Sequence, residues 1–302
     1  MDFGLILPTM PLGANREGIQ AAADAAERLG WHSVWATDHV LVDPAGPSDY
    51  HHIFEAIVTL AYLAGRTERI RLGTSVIVVP QRNAVVVAKE LASLDALSRG
   101  RVIAGVGGGW YETEFRLLGV GPHFRTRGAR LDEALRLWRH LWSGGTGPFE
   151  GRFHSFGDVT FGPLPPQGGG LPIWTGGQSE PALRRAGALA DGYHSSGSGP
   201  AQLAARIPII AAAAATAGRP MPRLSARVGV TFGPVQAERY RMAGTPDQML
   251  SEIEAFAALG VSHLAVGFDE TDAGRATELV ERFDREVVQP ARERLSVGAT
   301  AS

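Results

Sequence analysis

The chain has 302 residues, of which 44% are hydrophobic, with a formal net charge of −2 and no cysteine. This charge provides no basic surface for nucleic acid or an anionic membrane, and the lack of cysteine excludes disulfides, thiolate metal sites and cysteine nucleophiles. No stretch approaches the roughly 18 consecutive apolar residues of a membrane span, and the first residues begin a strand rather than a charged leader. We therefore predict a cytoplasmic protein that acts on a small molecule.

Short apolar runs alternate with helical repeats along the whole chain. The apolar runs predict strands at 3–7, 33–36, 70–79, 102–106, 172–175, 192–195, 224–232 and 263–267. Apolar residues at helical spacing predict helices at 16–29, 54–64, 83–98, from 111, at 127–142, 179–190, 202–217, 245–259 and 273–288. Residues 143–172 are rich in Gly and Pro and predict an excursion with a small hairpin.

Eight strands that alternate with helices predict an α/β protein with a (β/α)8 TIM barrel. Such barrels typically need about 250 residues, whereas a doubly wound sheet more often has five to seven strands. Since no repeat or linker divides the chain, we expect one barrel domain over 1–302.

Two irregularities interrupt the central strand–helix–strand unit. Gly73, Thr74 and Ser75 break the run at 70–79, and three glycines, 107–109, follow the next strand. Glycine in a strand often marks a bulge or a close backbone approach, and ligands of parallel α/β folds bind at the carboxyl ends of strands. The alternative is that these glycines only turn the chain.

Asp38 and His39 follow the second predicted strand, on the barrel face where catalytic residues collect. Imidazole titrates near neutral pH, so His39 is a candidate acid, base or hydrogen-bond donor, and Asp38 could orient it or bind a ligand donor. The alternative is a solvated pair at a strand end.

Gly176, Gly177 and Ser179 lie between the fifth strand and the following helix. Bare backbone N–H groups and a helix N-terminus suit an anionic phosphate, with Ser179 as the N-cap. An ordinary capped turn would need only one glycine, so the pair favours a phosphate site.

Other motifs give weaker or negative signals. The string GVGGGW lacks the last glycine and the acidic residue of a dinucleotide fingerprint. His51 and His52 have no carboxylate or cysteine at ligand spacing, so we predict no metal site. Arg125, Arg127 and Arg130 form either a solvated face or a site for an acidic cofactor tail.

Five motifs in register resemble the luciferase-like monooxygenase superfamily, and within it the oxidoreductases that depend on the deazaflavin coenzyme F420. They are VWATDH, ERIRLGTSV, AKELASLDALSRGRVIAGVGGGW, PIWTGGQSEPALRRAG and ADGYHSSG, and together they span most of the chain. The resemblance implies a barrel with a deazaflavin or isoalloxazine ring across its carboxyl face.

The resemblance also implies roles for individual residues. Ser75–Val76 matches the family's non-prolyl cis peptide behind the ring, and the Asp38–His39 pair matches a pair near the reactive ring carbon. The positions that match those lining the ring and ribityl chain are Gly108, Gly109 and Thr113, and those matching the phosphate site are Gly176, Gly177 and Ser179.

Two departures argue against the sugar-phosphate reaction of some relatives. Trp110 stands where those enzymes have a glutamate, and Asp43 where they have a tryptophan. The modest excursion and the Asp-His pair favour F420 as cofactor and hydride transfer to or from a small organic substrate, with His39 polarising or protonating the acceptor. An FMN-dependent monooxygenase and a catalytically silent flavin-binding protein are the alternatives, and a homodimer remains open.

Overall fold

The computed structural model describes residues 1–10, 14–237 and 239–300, apart from the side chains of 297–300. The strands are β1 (Asp2–Ile6), β2 (Ser33–Ala36), β3 (Arg71–Thr74), β4 (Ile77–Val78), β5 (Val102–Gly107), β6 (Phe149–Glu150), β7 (Ser155–Phe156), β8 (Ile173–Thr175), β9 (Gly192–Ser196), β10 (Arg223–Phe232), β11 (Arg241–Gly244) and β12 (Val261–Gly267). Eight of them close a parallel barrel in the order β1, β2, β3, β5, β8, β9, β10, β12. This closed ring confirms the predicted (β/α)8 architecture.

Helices surround the barrel. They are α1 (Arg16–Arg28), α2 (Ala56–Ala64), α3 (Ala84–Leu97), α4 (Glu112–Leu117), α5 (His123–Trp142), α6 (Glu180–Leu189), α7 (Pro200–Thr216), α8 (Pro246–Ala258), α9 (Ala273–Phe283) and α10 (Gln289–Thr300). A π turn, Asp284–Val288, joins α9 to α10. Within the described ranges, no helix has the length and apolarity that crossing a membrane would require.

The barrel interior contains two tryptophan rings in close contact. The ring centroids of Trp35 and Trp174 are 5.2 Å apart, and both side chains are buried. Neighbouring strands carry glycine where these rings lie, since a Cβ on Gly73 would come within 2.3 Å of Trp35 and one on Gly192 within 2.5 Å of Trp174. The two tryptophan rings therefore require glycine at the neighbouring positions, 73 and 192.

The predicted excursion contains the predicted hairpin, in which β6 pairs antiparallel with β7. The buried carboxylate of Glu133 accepts hydrogen bonds from the backbone N–H groups of Arg152 (2.6 Å), Phe153 (2.9 Å) and His154 (2.8 Å). Further along, Lys89 of α3 donates to the carbonyl of Gly162 and lies 4.7 Å from the ring centroid of Phe161. Helices α5 and α3 thus hold the excursion against the barrel.

Candidate active site

The predicted site residues follow different strands at the same end of the barrel. His39 follows β2, Ser75 and Val76 separate β3 from β4, Gly108 follows β5, and Gly177 follows β8. Because all eight strands are parallel, their carboxyl ends lie at one face, where ligands of this architecture bind.

Glu114 of α4 holds the imidazole of His39 in place. His39 Nδ1 lies 2.9 Å from Glu114 Oε2, and both side chains are buried. The same carboxylate accepts hydrogen bonds from the Val40 backbone N–H at 2.6 Å and from Gln81 Nε2 at 3.0 Å. These partners come from two segments of the chain, so Glu114 fixes the loop after β2 as well as the ring.

The hydrogen bonds around Glu114 also determine which nitrogen of His39 carries a proton. Burial alone would raise the pKa of Glu114, but the bonds from His39, Val40 and Gln81 outweigh it and lower that pKa. The ionised carboxylate only accepts, so His39 Nδ1 carries the proton. No partner for His39 Nε2 lies in the described part of the chain, which leaves this nitrogen available to a substrate.

Two aromatic side chains stand beside His39. The ring of Tyr50 stacks on the imidazole with centroids 4.0 Å apart, and the ring of Trp110 meets its edge at 6.1 Å. Trp110 is 54% exposed, which is unusual for tryptophan in a folded protein. An exposed indole next to a candidate acid or base marks a surface that a planar apolar substrate could cover.

Asp38 does not orient His39, contrary to one of the two predicted roles. Its buried carboxylate accepts a hydrogen bond from the backbone N–H of Val78 at 2.9 Å and pairs with Arg82 at 2.5 Å. Glu55 pairs with the same guanidinium at 3.0 Å. Burial lowers the pKa of Arg82, but the charges of Asp38 and Glu55 raise it overall, so the arginine stays charged. Asp38 therefore anchors β4 and the turn before α3.

The Ser75–Val76 peptide bond is cis, as the resemblance implies. The side chain of Val76 lies between two glycines: a Cβ on Gly107 would fall 2.8 Å from one of its methyl carbons, and one on Gly176 would fall 3.4 Å from another. A Cβ on Gly108, in contrast, would come no closer than 3.8 Å to its nearest neighbour, Arg127 Cγ. We call the surface formed by Ser75, Val76, Gly107, Gly108 and Gly176 the ring seat, because it presents backbone and one branched apolar side chain.

Arg227 of β10 lies at the edge of the ring seat, and no sequence pattern indicated it. Its guanidinium donates to the carbonyl oxygen of Ser75 at 2.6 Å and to the Ser75 hydroxyl at 3.2 Å. Burial lowers the pKa of Arg227, and no carboxylate in the described ranges pairs with it. A partly buried cation without a counter-ion favours an electron-rich ligand nearby.

The predicted phosphate loop has the required bare backbone. Gly177 adopts φ +117°, a conformation that favours glycine, and its carbonyl accepts a hydrogen bond from Tyr193 at 2.9 Å. Ser179 is the N-cap of α6, but its side chain makes no capping hydrogen bond. Arg206 of α7 lies beside this loop and donates hydrogen bonds to Gln178 Oε1 at 3.1 Å and to the Ser198 hydroxyl at 2.6 Å. The loop, the unused hydroxyl and the arginine together suit an anion.

For the remaining predicted positions, the structure shows contacts within the chain that do not themselves indicate a ligand. Thr113 accepts a hydrogen bond from Arg116 at 2.8 Å, and Gly109 adopts φ +79° with no room for a Cβ beside Val78. In the basic cluster, Arg127 lies over Phe124 and Arg130 over Phe153, at 4.1 and 4.2 Å from the ring centroids, while Arg125 is exposed. Residues 1–10, 14–237 and 239–300 contain no group of three or more His, Asp or Glu side chains that could hold a metal ion.

Comparisons with known proteins agree with this fold. The geometry defines a class of protein: a (β/α)8 barrel whose carboxyl face carries the ring seat and a loop that suits an anion. The model of the luciferase-like monooxygenase family matches residues 1–286, so the chain belongs to that family. This confirms the family resemblance of the sequence motifs.

Individual relatives carry two different cofactors. The chain is 37% identical over 173 residues to an F420-dependent glucose-6-phosphate dehydrogenase of Kineococcus radiotolerans, a match that covers 56% of this chain and only 49% of that protein. Among known structures, an F420-dependent secondary alcohol dehydrogenase with an F420–acetone adduct superposes with a TM-score of 0.79, at 20% identity over 96% of this chain and 98% of that one. The FMN complex of the oxygenating constituent of 3,6-diketocamphane monooxygenase from Pseudomonas putida gives 0.79, at 19% identity over 95% and 97%. At such identities the structural likeness establishes the fold alone.

Proposed function

We propose that this protein is an F420-dependent oxidoreductase that transfers a hydride between the deazaflavin and a small organic substrate. The observation that carries the proposal is His39, whose Nδ1 is held by ionised Glu114 and whose Nε2 is free at the barrel face that also carries the ring seat. A positioned imidazole beside a redox ring suits proton transfer coupled to hydride transfer.

The residues at the carboxyl face fit such a cofactor. The ring seat would hold the planar ring, because its glycines leave the space that side chains would fill. Gly177, Ser179 and Arg206 would hold the phosphate, and the half-buried Arg127 lies beside Gly108 of the ring seat. When bound, F420 supplies the site that accepts or donates the hydride.

Residues of the chain itself transfer the proton and exclude water from the site. Once it has taken a second proton from solvent at Nε2, His39 donates that proton to the substrate atom that gains negative charge, or in the reverse direction its free Nε2 accepts one, while Glu114 keeps Nδ1 protonated. Tyr50 and Trp110 cover the imidazole and exclude water from it. Asp38 has an indirect role, since it holds Val78 and Arg82 at the border of the seat.

The substrate we propose is not a sugar phosphate. Trp110 and Asp43 replace the residues of the sugar-phosphate enzymes, and Asp43 is occupied as the acceptor of the Tyr111 hydroxyl. An exposed indole favours an apolar or aromatic carbonyl compound, alcohol or nitroaromatic. We further propose a cytoplasmic location and a single domain over 1–302, and a homodimer stays a prediction.

An FMN-dependent monooxygenase is the second candidate, since FMN occupies a barrel of the same fold. A silent flavin-binding protein is the third, but a free His39 Nε2 has no purpose in storage. Titration of the purified apoprotein with F420 and with FMN distinguishes them, and we expect F420 to bind at least about tenfold more tightly, a difference of about 1.4 kcal/mol. Tighter binding of FMN would contradict the F420 assignment.

The phosphate loop provides the first mutational test. Gly177→Asp should abolish cofactor binding, because it places bulk and negative charge beside a phosphate at φ +117°. Arg206→Gln should weaken binding by about 10 to 100-fold, the effect of losing one charge-assisted hydrogen bond. Gly157→Asp is the matched control, since Gly157 has open space around it in the excursion. Wild-type affinity in a folded Gly177→Asp protein would refute the loop assignment.

A further inference from the structure

A row of hydrogen bonds crosses the barrel interior from His32, near its amino face, to the ring seat. It links His32 Nδ1 to the Ser33 hydroxyl (3.1 Å), Ser33 to His263 Nε2 (2.9 Å), His263 Nδ1 to the Ser225 hydroxyl (2.8 Å), Ser225 to His194 Nδ1 (2.8 Å), and His194 Nε2 to the Ser75 hydroxyl (3.0 Å). At the amino face the row ends in an ion-pair contact, with Asp2 Oδ2 at 3.6 Å from His32 Nε2. All members between Ser33 and Ser75 are buried. We call this set of side chains the interior row.

The three imidazoles of the interior row are neutral at physiological pH. Burial lowers the pKa of His194 to about 3, with Arg227 as a second cause, and lowers that of His263 well below its usual value. Burial lowers the pKa of His32 to about 4, although Asp2 opposes the shift. A neutral imidazole has one N–H donor and one acceptor nitrogen, so each ring can take only one direction in the row at a time.

Asp2 at the amino face sets that direction for the whole row. Its negative charge lies 3.6 Å from His32 Nε2 and favours the proton of His32 on that nitrogen, so His32 accepts from Ser33 at Nδ1. Ser33 also accepts from Trp35 Nε1 at 2.8 Å, and its remaining lone pair accepts from His263 Nε2. Because His263 carries its proton on Nε2, its Nδ1 accepts a hydrogen bond from the Ser225 hydroxyl. The Ser225 oxygen in turn accepts a hydrogen bond from His194 Nδ1.

The opposite end of the row agrees with this assignment. With its Nδ1 protonated, His194 accepts at Nε2, so the Ser75 hydroxyl donates to it. Arg227 only donates, and it donates to Ser75 Oγ at 3.2 Å. Every donor between Ser33 and Ser75 then has an acceptor, and Ser75 Oγ retains one lone pair at the ring seat.

We propose that the interior row is a proton path that carries a proton released at the ring seat to the amino face of the barrel. Ser75 Oγ accepts the incoming proton while its own proton passes to His194 Nε2. His194 releases its Nδ1 proton to Ser225, which passes one to His263 Nδ1, and His263 releases its Nε2 proton to Ser33. Ser33 donates to His32 Nδ1, and His32, which is partly exposed, releases its Nε2 proton to solvent beside the Asp2 carboxylate. One proton enters, one leaves, and the row reverses its direction.

This path rests on the proposed function, because that function places a redox ring against Ser75. The resting direction suits a reaction in which the bound ring gives up a proton, which is what a reduced deazaflavin does when it loses a hydride. His39 would then protonate the substrate from the other side. The path therefore assigns the protein to reduction of an unsaturated or oxidised substrate rather than to oxidation of an alcohol.

Nitrogen-15 NMR of the histidine side chains tests the path in the apoprotein. We expect His194 to be protonated at Nδ1 and His263 at Nε2, with resonances assigned by single His→Asn variants. Asp2→Asn changes only a partly exposed residue, so it should not impair folding, and it should give mixed tautomers at both His263 and His194. The opposite tautomers in the wild type, or no response to Asp2→Asn, would overturn the assigned direction.

The cofactor provides the second test, with F420 itself as the probe. Oxidised F420 offers unprotonated ring nitrogens and should reverse the tautomers of both His194 and His263, whereas reduced F420 carries an additional N–H and should preserve the apoprotein pattern. Ser225→Ala should confine the response to His194, and Ser98→Ala is the control, since Ser98 is an equally buried serine outside the row. A response of His263 in Ser225→Ala, or identical tautomers in both complexes, would overturn the path. Failure of F420 to bind would refute the proposed function instead, and the apoprotein pattern would still decide the direction of the row.

Discussion

Glu114 accepts hydrogen bonds from His39, from the backbone N–H groups of Val40 and Leu41, and from Gln81. A buried carboxylate with these partners stays ionised, and it gives the imidazole a single tautomer and orientation. The arrangement corresponds to the carboxylate–histidine half of a catalytic triad, in which the carboxylate orients the ring and does not take its proton. His39 is thus prepared for proton transfer before any ligand arrives.

At this scale we predict that His39 and Glu114 act in turnover more than in binding. His39→Asn should lower turnover by about 10² to 10⁴, the usual contribution of a positioned acid, and leave F420 affinity within several-fold of wild type. Glu114→Gln should lower turnover by about 10² because the amide no longer fixes the tautomer. Steady-state kinetics after a substrate screen, together with F420 titration of each variant, measure both effects.

The double variant provides the control for this pair. If Glu114 acts through His39, His39→Asn with Glu114→Gln should be no slower than His39→Asn alone. Fully multiplied losses would mean that the two residues act independently. A loss confined to F420 binding would make His39 a ring ligand rather than an acid.

Sequence patterns could identify His39 but not the residue that orients it. Asp38 is adjacent and looks like the natural partner, yet successive residues at the end of a strand point in different directions, and Asp38 turns toward Val78 and Arg82. Glu114 is 75 positions away from His39 and is brought to it only by closure of the barrel. Arg227 and Arg206 were missed for the same reason, since an arginine in a strand or helix has no motif of its own.

At the scale of elements, β3 and β5 make an unusually close approach. A Cβ on Gly105 of β5 would lie only 1.7 Å from the carbonyl oxygen of Thr74, and the Thr74 hydroxyl donates to the carbonyl of Gly105 at 2.6 Å. Backbone atoms cannot yield as a flexible side chain can, so this approach requires glycine. It also fixes the position of Ser75, which follows directly.

We therefore predict that Gly105→Ala destabilises the protein by about 3 kcal/mol or more, at the upper end of overpacking effects. Urea unfolding followed by circular dichroism measures the change. Gly157→Ala is the matched control, because an added methyl group there meets open space, and it should change stability by less than about 0.5 kcal/mol. Equal midpoints for the two variants would refute the close approach.

Most strands and helices could be predicted because each carries its own periodic pattern. The elements and boundaries that were predicted wrongly depend on tertiary contacts. The run at 70–79 is divided into β3 and β4, which apolar content alone cannot reveal. Helix α5 begins at His123 rather than 127, because Phe124 packs on Phe115 and His123 bonds to the carbonyl of Pro80. The strand β11 was not predicted, since it pairs only with the far half of β10.

The carboxyl-terminal helices illustrate the same limit. The apolar spacing predicted one closing helix at 273–288. The structure has a π turn, Asp284–Val288, followed directly by α10, and Pro290 lies in the first turn of α10. In a first turn the missing N–H of proline has no cost.

At the scale of the whole molecule, the buried imidazoles make stability depend on pH. The unfolded chain takes up protons on His194 and His263 below about pH 6.5, whereas the folded pKa values are lowered by burial, to about 3 for His194. The unfolded state then binds more protons, so stability is present above pH 6.5 and is lost as pH falls toward the folded pKa.

We predict that each of these two histidines contributes a loss of up to about 1.4 kcal/mol per pH unit below pH 6.5. Urea midpoints measured between pH 7.5 and 5 should fall steadily, and the fall should be smaller in His263→Gln. The exposed His51 provides the control, since His51→Gln should leave the slope unchanged. A pH-independent midpoint over this range would contradict the neutral, buried state of these rings.

The contact between Lys89 and the excursion has a chemical consequence. Lys89 is the one lysine in these 302 residues, it is exposed on α3, and its ammonium group holds the carbonyl of Gly162 and the ring of Phe161. A reagent that acylates side-chain amines therefore has a single target. Acylation removes the positive charge and with it both contacts, so one covalent event releases the segment around 161–162 from the helix.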